Sequence, residues 1–592
     1  MRLPLMIAVR AFLVLAWEIL ASIPILQRKK RVKQRVMKPY VQLDSWPRKI
    51  ALVLTPIGLG FFCLVYGFFF ALTAPYLIVV FAAPIAILML LSIWALPEQT
   101  HAPTKTMEFL LGALLMSLVL WPNYLALALP GLPWITAIRL AGVPMAMLFL
   151  VSLSISRTFR GEMKAVALTI PGFWMWFAVF VAIQLITIGI AKSPGAAIQK
   201  GVIQQVNWVI VAAIAAWVCR IPGRAERYII LIMFTAIPML TLQLLELAVH
   251  HVLWAGYVPS FLKIDDAIGM NIFASQVRSA TGLYRTKVTF TTALGMAEYI
   301  SLLTPFAIHF ALGRYRMPLR VFGFVMVPVI FLSVRLTDAR LGVIAFLISV
   351  MLYMLFWGMM RFRRNRRDLL AATIVYAYPA VFSAAGLLVM AVKPVKELVF
   401  GGGAAAASNA ARNTQIHMAI PKMLLYPLGH GGGGAGQAMG YGAGEFIAID
   451  NYYLVFGLDY GMIGVITFIG IFLLIIAWSV RSALVAGNSR DRELSLMIPA
   501  ACSMSAFLVI KLVYGQADYH SFLFMLVGMC VALIGRVRDE AQAFVDRTTA
   551  APAKVLRSSE RDDDEPEDAE PEDPYDTYWP PRPDRPRRLN PA

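Results

Sequence analysis

Apolar runs of about 20 residues recur along almost the whole chain, and this repetition limits the folds that are open to it. A helix of about 20 residues crosses the hydrocarbon core of a bilayer, which is roughly 30 Å thick. Only 15% of the 592 residues are charged and 59% are hydrophobic, whereas soluble domains contain roughly 25% charged residues. Because lipid offers the backbone no hydrogen-bond partners, runs of this length predict helices rather than strands. The sequence therefore predicts an all-α polytopic membrane protein.

The membrane domain is predicted to occupy residues 50–535 and to contain about fourteen transmembrane helices. The predicted spans lie near residues 50–72, 75–96, 107–128, 133–155, 168–190, 202–219, 228–248, 289–311, 320–335, 341–360, 369–392, 452–478, 494–512 and 517–535.

A separate N-terminal segment, residues 1–49, precedes the predicted spans. Its apolar stretch at residues 4–26 carries Arg10 and Glu18 and is followed by the basic sequence "QRKKRVKQRVMK". Such a pattern predicts an amphipathic helix that lies in the membrane interface, with its basic flank on anionic lipid. The alternatives are a true span and an uncleaved signal anchor, since no small-residue cleavage site stands out.

The charges of the connecting loops predict how the chain is oriented. Five loops are basic, and all fall on one side of the predicted spans: "SRTFRGEMK", "CRIPGRAER", "GRYRMPLR", "MRFRRNRR" and "VRSALVAGNSRDR". The positive-inside rule assigns this side, together with both termini, to the cytoplasm. The net charge of +19 is explained by this orientation, so no nucleic-acid partner is expected.

Three regions outside the predicted spans are long. Residues 249–288 and 393–451 are predicted to form two extracytoplasmic loops, and loops of this length are typically functional or disordered. Residues 536–592 form a tail that is acidic, then rich in proline, then basic. The tail has too few apolar residues to build a core, so it is predicted to be disordered in the cytoplasm.

Common metal and nucleotide motifs are missing from the sequence. His250 and His251 are adjacent, no H-E-x-x-H occurs, and the four cysteines lie within or at the ends of apolar runs without ligand spacing. Residues Gly431 to Gly436 match G-x-G-x-x-G only because glycine is abundant there, and no strand is predicted before them. The sequence therefore predicts neither a metal site nor a cofactor.

Arginines accumulate on the predicted outer side, where the positive-inside rule disfavours them. The guanidinium group presents a planar fork of donors that matches phosphate oxygens, which indicates an anionic, phosphorylated ligand. The alternative is contact with lipid headgroups. The ionisable residues concerned are Arg278 and Arg285 before the span at 289, Arg335, Asp338 and Arg340 in the turn before the span at 341, and Arg412, His417 and Asp450 in the second loop.

Residues 411–468, with upstream segments, resemble the signature region of the O-antigen ligase and O-antigen polymerase family. The likeness covers roughly residues 275–480, in the same order and on the same predicted side of the membrane. It consists of an arginine, a "P-x-G-x-G" element, an "H/D-N-x-y-L" element, a "GxxG" element and an upstream Ser-Arg element. In this chain these are Arg412; Pro427, Gly429 and Gly431; the run from Asp450 through Asn451, Tyr452 and Tyr453 to Leu454; Gly461 and Gly464; and Ala339 with Arg340.

The resemblance implies a metal-independent, inverting glycosyltransferase in the bacterial inner membrane. Such a protein takes a glycan from undecaprenyl diphosphate and transfers it to an acceptor hydroxyl on the periplasmic face, in exopolysaccharide, capsule or O-antigen synthesis. Other polysaccharide assembly or export proteins are candidate partners. The implied catalytic residues are Arg340, Arg412 and Asp450, with His417 and His430 as alternative bases, and the implied substrate-binding residues are Arg278, Arg285, Asn451, Tyr452, Gly429 and Gly431.

The chain departs from the family pattern at the base, where a ligase is expected to carry histidine and this chain has Asp450. The departure favours a polymerase over a ligase that transfers O-antigen to lipid A-core. Asp450 is alternatively a helix N-cap. The glycine-rich stretch at residues 428–446 is predicted to let backbone approach a sugar chain closely, or else to be a flexible insert. Two other functions stay open: a flippase for lipid-linked sugars and a non-enzymatic scaffold.

Overall fold

Long apolar helices dominate the part of the chain that the structure describes. The structure is a computed structural model and describes residues 50, 54, 57, 58, 60–65, 67, 78–99, 102–127, 135–259, 261–263, 273, 277, 282–396, 406–440, 449–486, 489 and 491–559. The chain divides into two units, residues 1–73 and 74–592. The second unit contains all the elements that position the candidate site, while the predicted amphipathic segment before residue 50 lies outside the described residues.

The N-terminal half of the second unit is a series of helices joined by short turns. A 3₁₀ turn, Thr187–Ile190, follows α5, and a π-helical segment, Gln205–Ile210, joins α6 to α7. The α-helices are α1 (Ile78–Trp94), α2 (Thr104–Leu120), α3 (Ala137–Ile155), α4 (Arg157–Ala167), α5 (Phe173–Ile186), α6 (Pro194–Gln204), α7 (Val211–Val218) and α8 (Arg224–Val249).

The C-terminal half contains the remaining described helices. A 3₁₀ turn, Arg492–Leu496, leads directly into α18. The α-helices are α9 (Ala293–Leu302), α10 (Thr304–Leu312), α11 (Met317–Leu336), α12 (Arg340–Arg364), α13 (Leu369–Ala391), α14 (Lys393–Lys396), α15 (Ala406–Leu425), α16 (Ala435–Ala438), α17 (Tyr452–Val485), α18 (Met497–Ile510) and α19 (His520–Ser559).

The predicted all-α, multi-pass membrane character is confirmed. Eleven helical segments among the described residues are long and apolar enough to cross a membrane. Helices α1 and α2 coincide with two further predicted spans, but each has only 17 residues. The total of about fourteen spans and the orientation of the termini stay predictions.

Two regions that were predicted to be irregular contain helix. The 20-residue helix α15 lies inside the predicted loop at residues 393–451. Helix α19 continues to Ser559, past residue 536, where the disordered tail was predicted to begin. In the first predicted loop, strand β2 (Leu262–Lys263) pairs antiparallel with β1 (Ala126–Leu127), so the chain after α2 contacts the chain after α8.

The helices differ greatly in burial, and this difference locates the centre of the second unit. In the segments Ala293–Leu312 and His520–Ala543, 94% of the most apolar stretch is buried within the protein. In α13, none of the corresponding stretch is buried. A helix that is apolar on all sides and yet exposed in the protein presents its surface to lipid. Helices α9, α10 and α19 are therefore central, and α13 is peripheral.

Two of the basic loops and the cytoplasmic part of α19 predicted from loop charge meet at one end of the helices. Glu493 accepts hydrogen bonds from the backbone N–H groups of Gly223, at 2.7 Å, and Glu226, at 2.9 Å, and so satisfies donors at the start of α8. Arg536 of α19 pairs with Glu493 at 2.7 Å, and Arg492 pairs with Glu226 at 2.8 Å. Contacts among these predicted cytoplasmic segments show that they share one end of the second unit.

Segments that carry the predicted site residues meet at the other end of the same helices. Thr286 donates a hydrogen bond to the Leu336 carbonyl at 2.9 Å, which joins the chain before α9 to the end of α11. Thr291 donates to Asp518, between α18 and α19, at 3.0 Å. The Tyr452 N–H donates to the Lys511 carbonyl at 2.9 Å. The start of α17 thus lies beside the end of α18, and all these segments share one end.

Candidate functional site

The start of α17 carries the Asp-Asn pair that the sequence analysis singled out. Asn451 is the N-cap residue, and its side-chain oxygen accepts hydrogen bonds from the N–H groups of Tyr453, at 2.9 Å, and Leu454, at 3.4 Å. Asparagine and aspartate are both strong N-caps, but only one residue can occupy the position. Asn451 occupies it, so the carboxylate of Asp450 is not used for capping, and the substrate-binding role of Asn451 stays a prediction.

Helix α15 places Arg412 against Asp450. The Arg412 Nε lies 3.0 Å from Asp450 Oδ2, and the two side chains are 26% and 34% exposed. Gln415, one turn further along α15, accepts a hydrogen bond from the Asp450 N–H at 3.0 Å. The structure therefore brings together two of the predicted catalytic residues, in a partly exposed ion pair.

The remaining predicted arginines lie in separate surroundings. Arg285 Nε donates to the Thr337 carbonyl at 3.3 Å, in the turn that leads into α12. Asp338, in the same turn, has a φ of +47°, a conformation that is uncommon for residues other than glycine. Arg340 is the first residue of α12. Arg278 lies outside the described residues, and the structure joins Arg285 to the turn before Arg340.

Tyr452 and His417 occupy contrasting positions. Tyr452 is only 3% exposed, and its ring packs against the rings of Phe456, Phe468 and His520. Its side chain therefore packs in the core, and its predicted contact with substrate stays a prediction. His417 is exposed on α15, and its role as an alternative base stays a prediction.

The glycine-rich stretch folds onto a break in α17. Gly461 has φ +69° and ψ −177°, which interrupts the helix, and a side chain there would place its Cβ 1.8 Å from the Pro427 carbonyl oxygen. Gly429 has φ +77°, and its Cβ would lie 2.5 Å from the Asp459 carbonyl oxygen. Glycine at these positions permits the two backbones to touch. The stretch is therefore a docked element in its described part, residues 428–440, rather than a free insert.

Polar groups freed by the helix break hold the loop. The N–H groups of His430 and Gly431 donate to the carbonyls of Leu458, at 2.8 Å, and Asp459, at 2.9 Å. Asp459 is 1% exposed. Its carboxylate accepts from the Ala435 N–H at 2.9 Å and pairs with Lys200 of α6 at 2.6 Å. Irregular backbone is tolerated at membrane depth where protein groups satisfy it in this way.

His430 lies at the rim of this docked loop. Its Nδ1 lies 3.0 Å from the Leu458 carbonyl oxygen, and its ring is 4.6 Å from that of Tyr426, centroid to centroid. It also lines a small cleft between the loop and the chain that enters α6. Gly431, with φ +88°, is part of the loop's docking surface. These two residues and Gly429 form one group, separate from the Arg412–Asp450 pair.

A buried polar network beneath the start of α17 was not found by sequence reasoning. Lys511 and Glu298 are both fully buried, and the Lys511 Nζ lies 2.9 Å from Glu298 Oε1. Lys511 also donates to the Gln516 carbonyl at 2.5 Å, and Asp518 accepts from Tyr514 at 3.3 Å. Sequence reasoning could have found Lys511 and Glu298, because a lone charge inside an apolar run is often functional or paired.

The ion pair at the helix break gives a first testable prediction. Asp459→Asn is expected to weaken loop docking, because an amide cannot pair with Lys200 as an ion. Hydrogen exchange of the backbone amides at residues 430–438 is expected to speed up by about tenfold, which corresponds to roughly 1.4 kcal/mol of lost opening free energy. Asp491→Asn, at the opposite end, is the matched control and is expected to leave exchange in the loop unchanged. Equal protection in Asp459→Asn and the unsubstituted chain would contradict the assigned role.

Metal ligation finds no support in the described segments, where no group of three or more histidine, cysteine, aspartate or glutamate side chains is placed to hold an ion. Two carboxylates in these segments are instead surrounded by donors. The Arg412 guanidinium contacts Asp450, and the Lys200 ammonium and the Ala435 N–H contact Asp459. Such groups suit an anionic ligand and proton transfer.

No protein-family model matches the chain, and no curated protein matches it.

Proposed function

We propose that this chain is an integral-membrane glycosyltransferase that polymerises polysaccharide repeat units from an undecaprenyl-diphosphate-linked donor on the periplasmic face of a bacterial inner membrane. The observation that carries the proposal is the Arg412–Asp450 pair at the capped start of α17. It combines a donor for phosphate oxygens with a carboxylate that can accept a proton, as the family resemblance in the same segment implies.

Arg412 is suited to the leaving group. Its Nε contacts Asp450 and its Nη1 lies 3.4 Å from Asn409 Oδ1, while Nη2 donates to no residue that the structure describes. In the proposed reaction the bond between the anomeric carbon and the diphosphate oxygen breaks, and the electron pair leaves with the diphosphate. A fixed guanidinium stabilises that developing charge without a metal.

Asp450 is suited to the acceptor. Its Oδ2 is held by Arg412, and its Oδ1 accepts no hydrogen bond from the described residues. In the proposed step the acceptor hydroxyl oxygen forms the new bond to the anomeric carbon, and its proton passes to Asp450. Because the nucleophile enters opposite the departing diphosphate, the anomeric configuration is inverted.

The proposed location follows from charge. The contacts of Glu493 with Gly223 and with Arg536 join two basic segments and support a basic end opposite the Arg412–Asp450 pair. The positive-inside rule assigns such an end to the cytoplasm. The pair then faces the periplasm, where the lipid-linked donor is displayed.

Replacing Arg412 by lysine is expected to lower the rate of glycan transfer by roughly 100-fold, because lysine keeps the charge but loses the planar fork of donors. The measurement is polymer formation, with release of undecaprenyl diphosphate, by the purified chain in liposomes supplied with lipid-linked oligosaccharide. The matched control is Arg157→Lys, since Arg157 is exposed at the start of α4 and is not among the candidate phosphate-binding arginines. Full transfer by the Arg412→Lys protein would refute the proposal.

The same assay separates the competing functions. Growth of one chain on its lipid carrier indicates a polymerase, and transfer to added lipid A-core indicates a ligase. Movement of the donor across the bilayer without a new glycosidic bond indicates a flippase. A scaffold forms no glycosidic bond and moves no donor, and Arg412→Lys changes neither result.

A further inference from the structure

The turn between α18 and α19, residues 511–519, packs directly against the chain that carries Asp450. A Cβ on Gly515 would lie 1.8 Å from the Ile449 carbonyl oxygen and 3.5 Å from the Asp450 carbonyl carbon, so the two backbones touch there. Standard backbone dimensions then place the Cα of Gln516 within roughly 9 Å of that carbon. The side chains of this turn are therefore neighbours of the proposed base.

Two side chains of the turn, Gln516 and Asp518, are each held at one end. Gln516 Oε1 accepts a hydrogen bond from the Tyr514 hydroxyl at 2.7 Å. The Thr291 hydroxyl, just before α9, lies 3.0 Å from Asp518 Oδ2 and 3.2 Å from Gln516 Oε1, which brings the two side chains together. Because both are fixed in this way, a ligand does not have to order them when it binds.

The other end of each side chain is open. Gln516 Nε2 donates to no residue that the structure describes, and Asp518 Oδ1 accepts from none. Both side chains are partly exposed, and neither atom is among the buried side-chain atoms that lack a hydrogen-bond partner. An amide donor and a carboxylate acceptor are therefore presented together to solvent.

A donor beside an acceptor suits a ligand with neighbouring hydroxyl groups. A hydroxyl group both donates and accepts, so one hydroxyl of a sugar can accept from the Gln516 amide while the next donates to Asp518. A phosphate group presents negative charge and acceptor oxygens, which the Asp518 carboxylate repels. The chemistry of this turn therefore fits an uncharged sugar rather than a diphosphate.

We propose that Gln516 and Asp518 form a binding subsite for the acceptor, where they hold neighbouring hydroxyl groups of an uncharged saccharide beside Asp450. The inference rests on the proposed function and extends it, because it names the residues that bind the acceptor and leaves the diphosphate of the donor at Arg412. Gln516 and Asp518 take no part in making or breaking bonds, so they affect acceptor affinity and choice.

The first test measures binding of methyl glycosides of glucose, galactose and mannose to the full chain, by saturation-transfer NMR. The detergent has no sugar headgroup, so it does not compete. At least one probe is expected to bind, and Gln516→Glu is expected to weaken its binding roughly tenfold, because an acceptor replaces the amide donor. The matched control is Gln199→Glu, the same change at an exposed position of α6.

Asp518→Asn is the second variant and guards against misfolding. It adds no charge, and its amide oxygen still accepts from Thr291, but its free acceptor becomes a donor. Its binding of the same probe is expected to weaken by a similar factor. The proposal is overturned if the unsubstituted chain binds none of the probes, or if either variant binds as tightly as the Gln199→Glu control.

Glycan transfer distinguishes failure of this subsite from failure of the proposed function. Gln516→Glu is expected to raise the KM for lipid-linked oligosaccharide roughly tenfold and to leave kcat unchanged. An unchanged KM, with transfer still dependent on Arg412, removes the subsite and leaves the glycosyltransferase. Saccharide binding that depends on Gln516, in a protein that forms no glycosidic bond, leaves the subsite and removes the glycosyltransferase.

Discussion

Replacing Lys511 by methionine is expected to lower the free energy of unfolding by about 3–5 kcal/mol. Lys511 is fully buried, and so is its partner Glu298, at 2.9 Å. Methionine has a similar length and packs well, but it leaves the Glu298 carboxylate without its counter-charge in a region with no access to water. The measurement is thermal unfolding of the purified chain in detergent, with Lys164→Met as the exposed control.

A double substitution isolates the charge effect from the packing effect. When Lys511→Met is combined with Glu298→Met, both charges are removed together, and buried ion pairs replaced in this way are often neutral in stability. The double variant is therefore expected to recover more than half of the stability that the single variant loses. If the double variant is as unstable as the sum of the two single variants, the pair does not act as a coupled unit.

The same pair is expected to affect the candidate site. The Lys511 carbonyl accepts the Tyr452 N–H at 2.9 Å, and the Lys511 ammonium lies 5.3 Å from the Tyr452 ring centroid. Tyr452 follows Asp450 by two residues. Displacement of Lys511 thus moves the start of α17, so the single variant is expected to lose transfer activity even at temperatures where it stays folded.

The sequence located the membrane helices because their signal is local. An apolar run such as residues 517–535 needs no partner to be recognised, and it lies within the buried part of α19. The Lys511–Glu298 pair joins residues 213 positions apart. Taken alone, each is a single charged residue in an apolar segment and does not indicate its partner. Pairing across that separation depends on how α9 packs against α18, which local patterns do not specify.

The structure differs from the sequence-based predictions at α15 and at the N-cap of α17, and both differences have local causes. The sequence predicts a loop where α15 forms because this segment contains no long apolar run and carries Arg412, Gln415 and His417, yet an amphipathic helix needs no apolar run. Asp450 and Asn451 are adjacent and are both good N-caps, so the sequence could not decide between them. The hydrogen bonds of Asn451 decide it, and this leaves Asp450 to pair with Arg412.

Replacing Gly461 by alanine is expected to undock the glycine loop and to reduce glycan transfer by about 100-fold or more. The new Cβ would lie 1.8 Å from the Pro427 carbonyl oxygen, which no rotamer change relieves because both groups are fixed to backbone. Alanine also tolerates the φ of +69° poorly. Overpacking of this kind costs about 1–3 kcal/mol or more, and the loop's few hydrogen bonds to α17 are the easiest contacts to give up.

Hydrogen exchange and activity, measured together, test this expectation. Amides at residues 429–438 are expected to lose protection in Gly461→Ala, while those of α19 keep it, since the core does not depend on the loop. The matched control is Gly436→Ala, in the same loop, where a Cβ meets no atom within 4 Å. If Gly461→Ala exchanges and transfers like Gly436→Ala, the loop moves freely over an unbroken helix and its docking has no part in catalysis. If exchange rises while transfer persists, the loop is docked but dispensable, and the Arg412–Asp450 pair works without it.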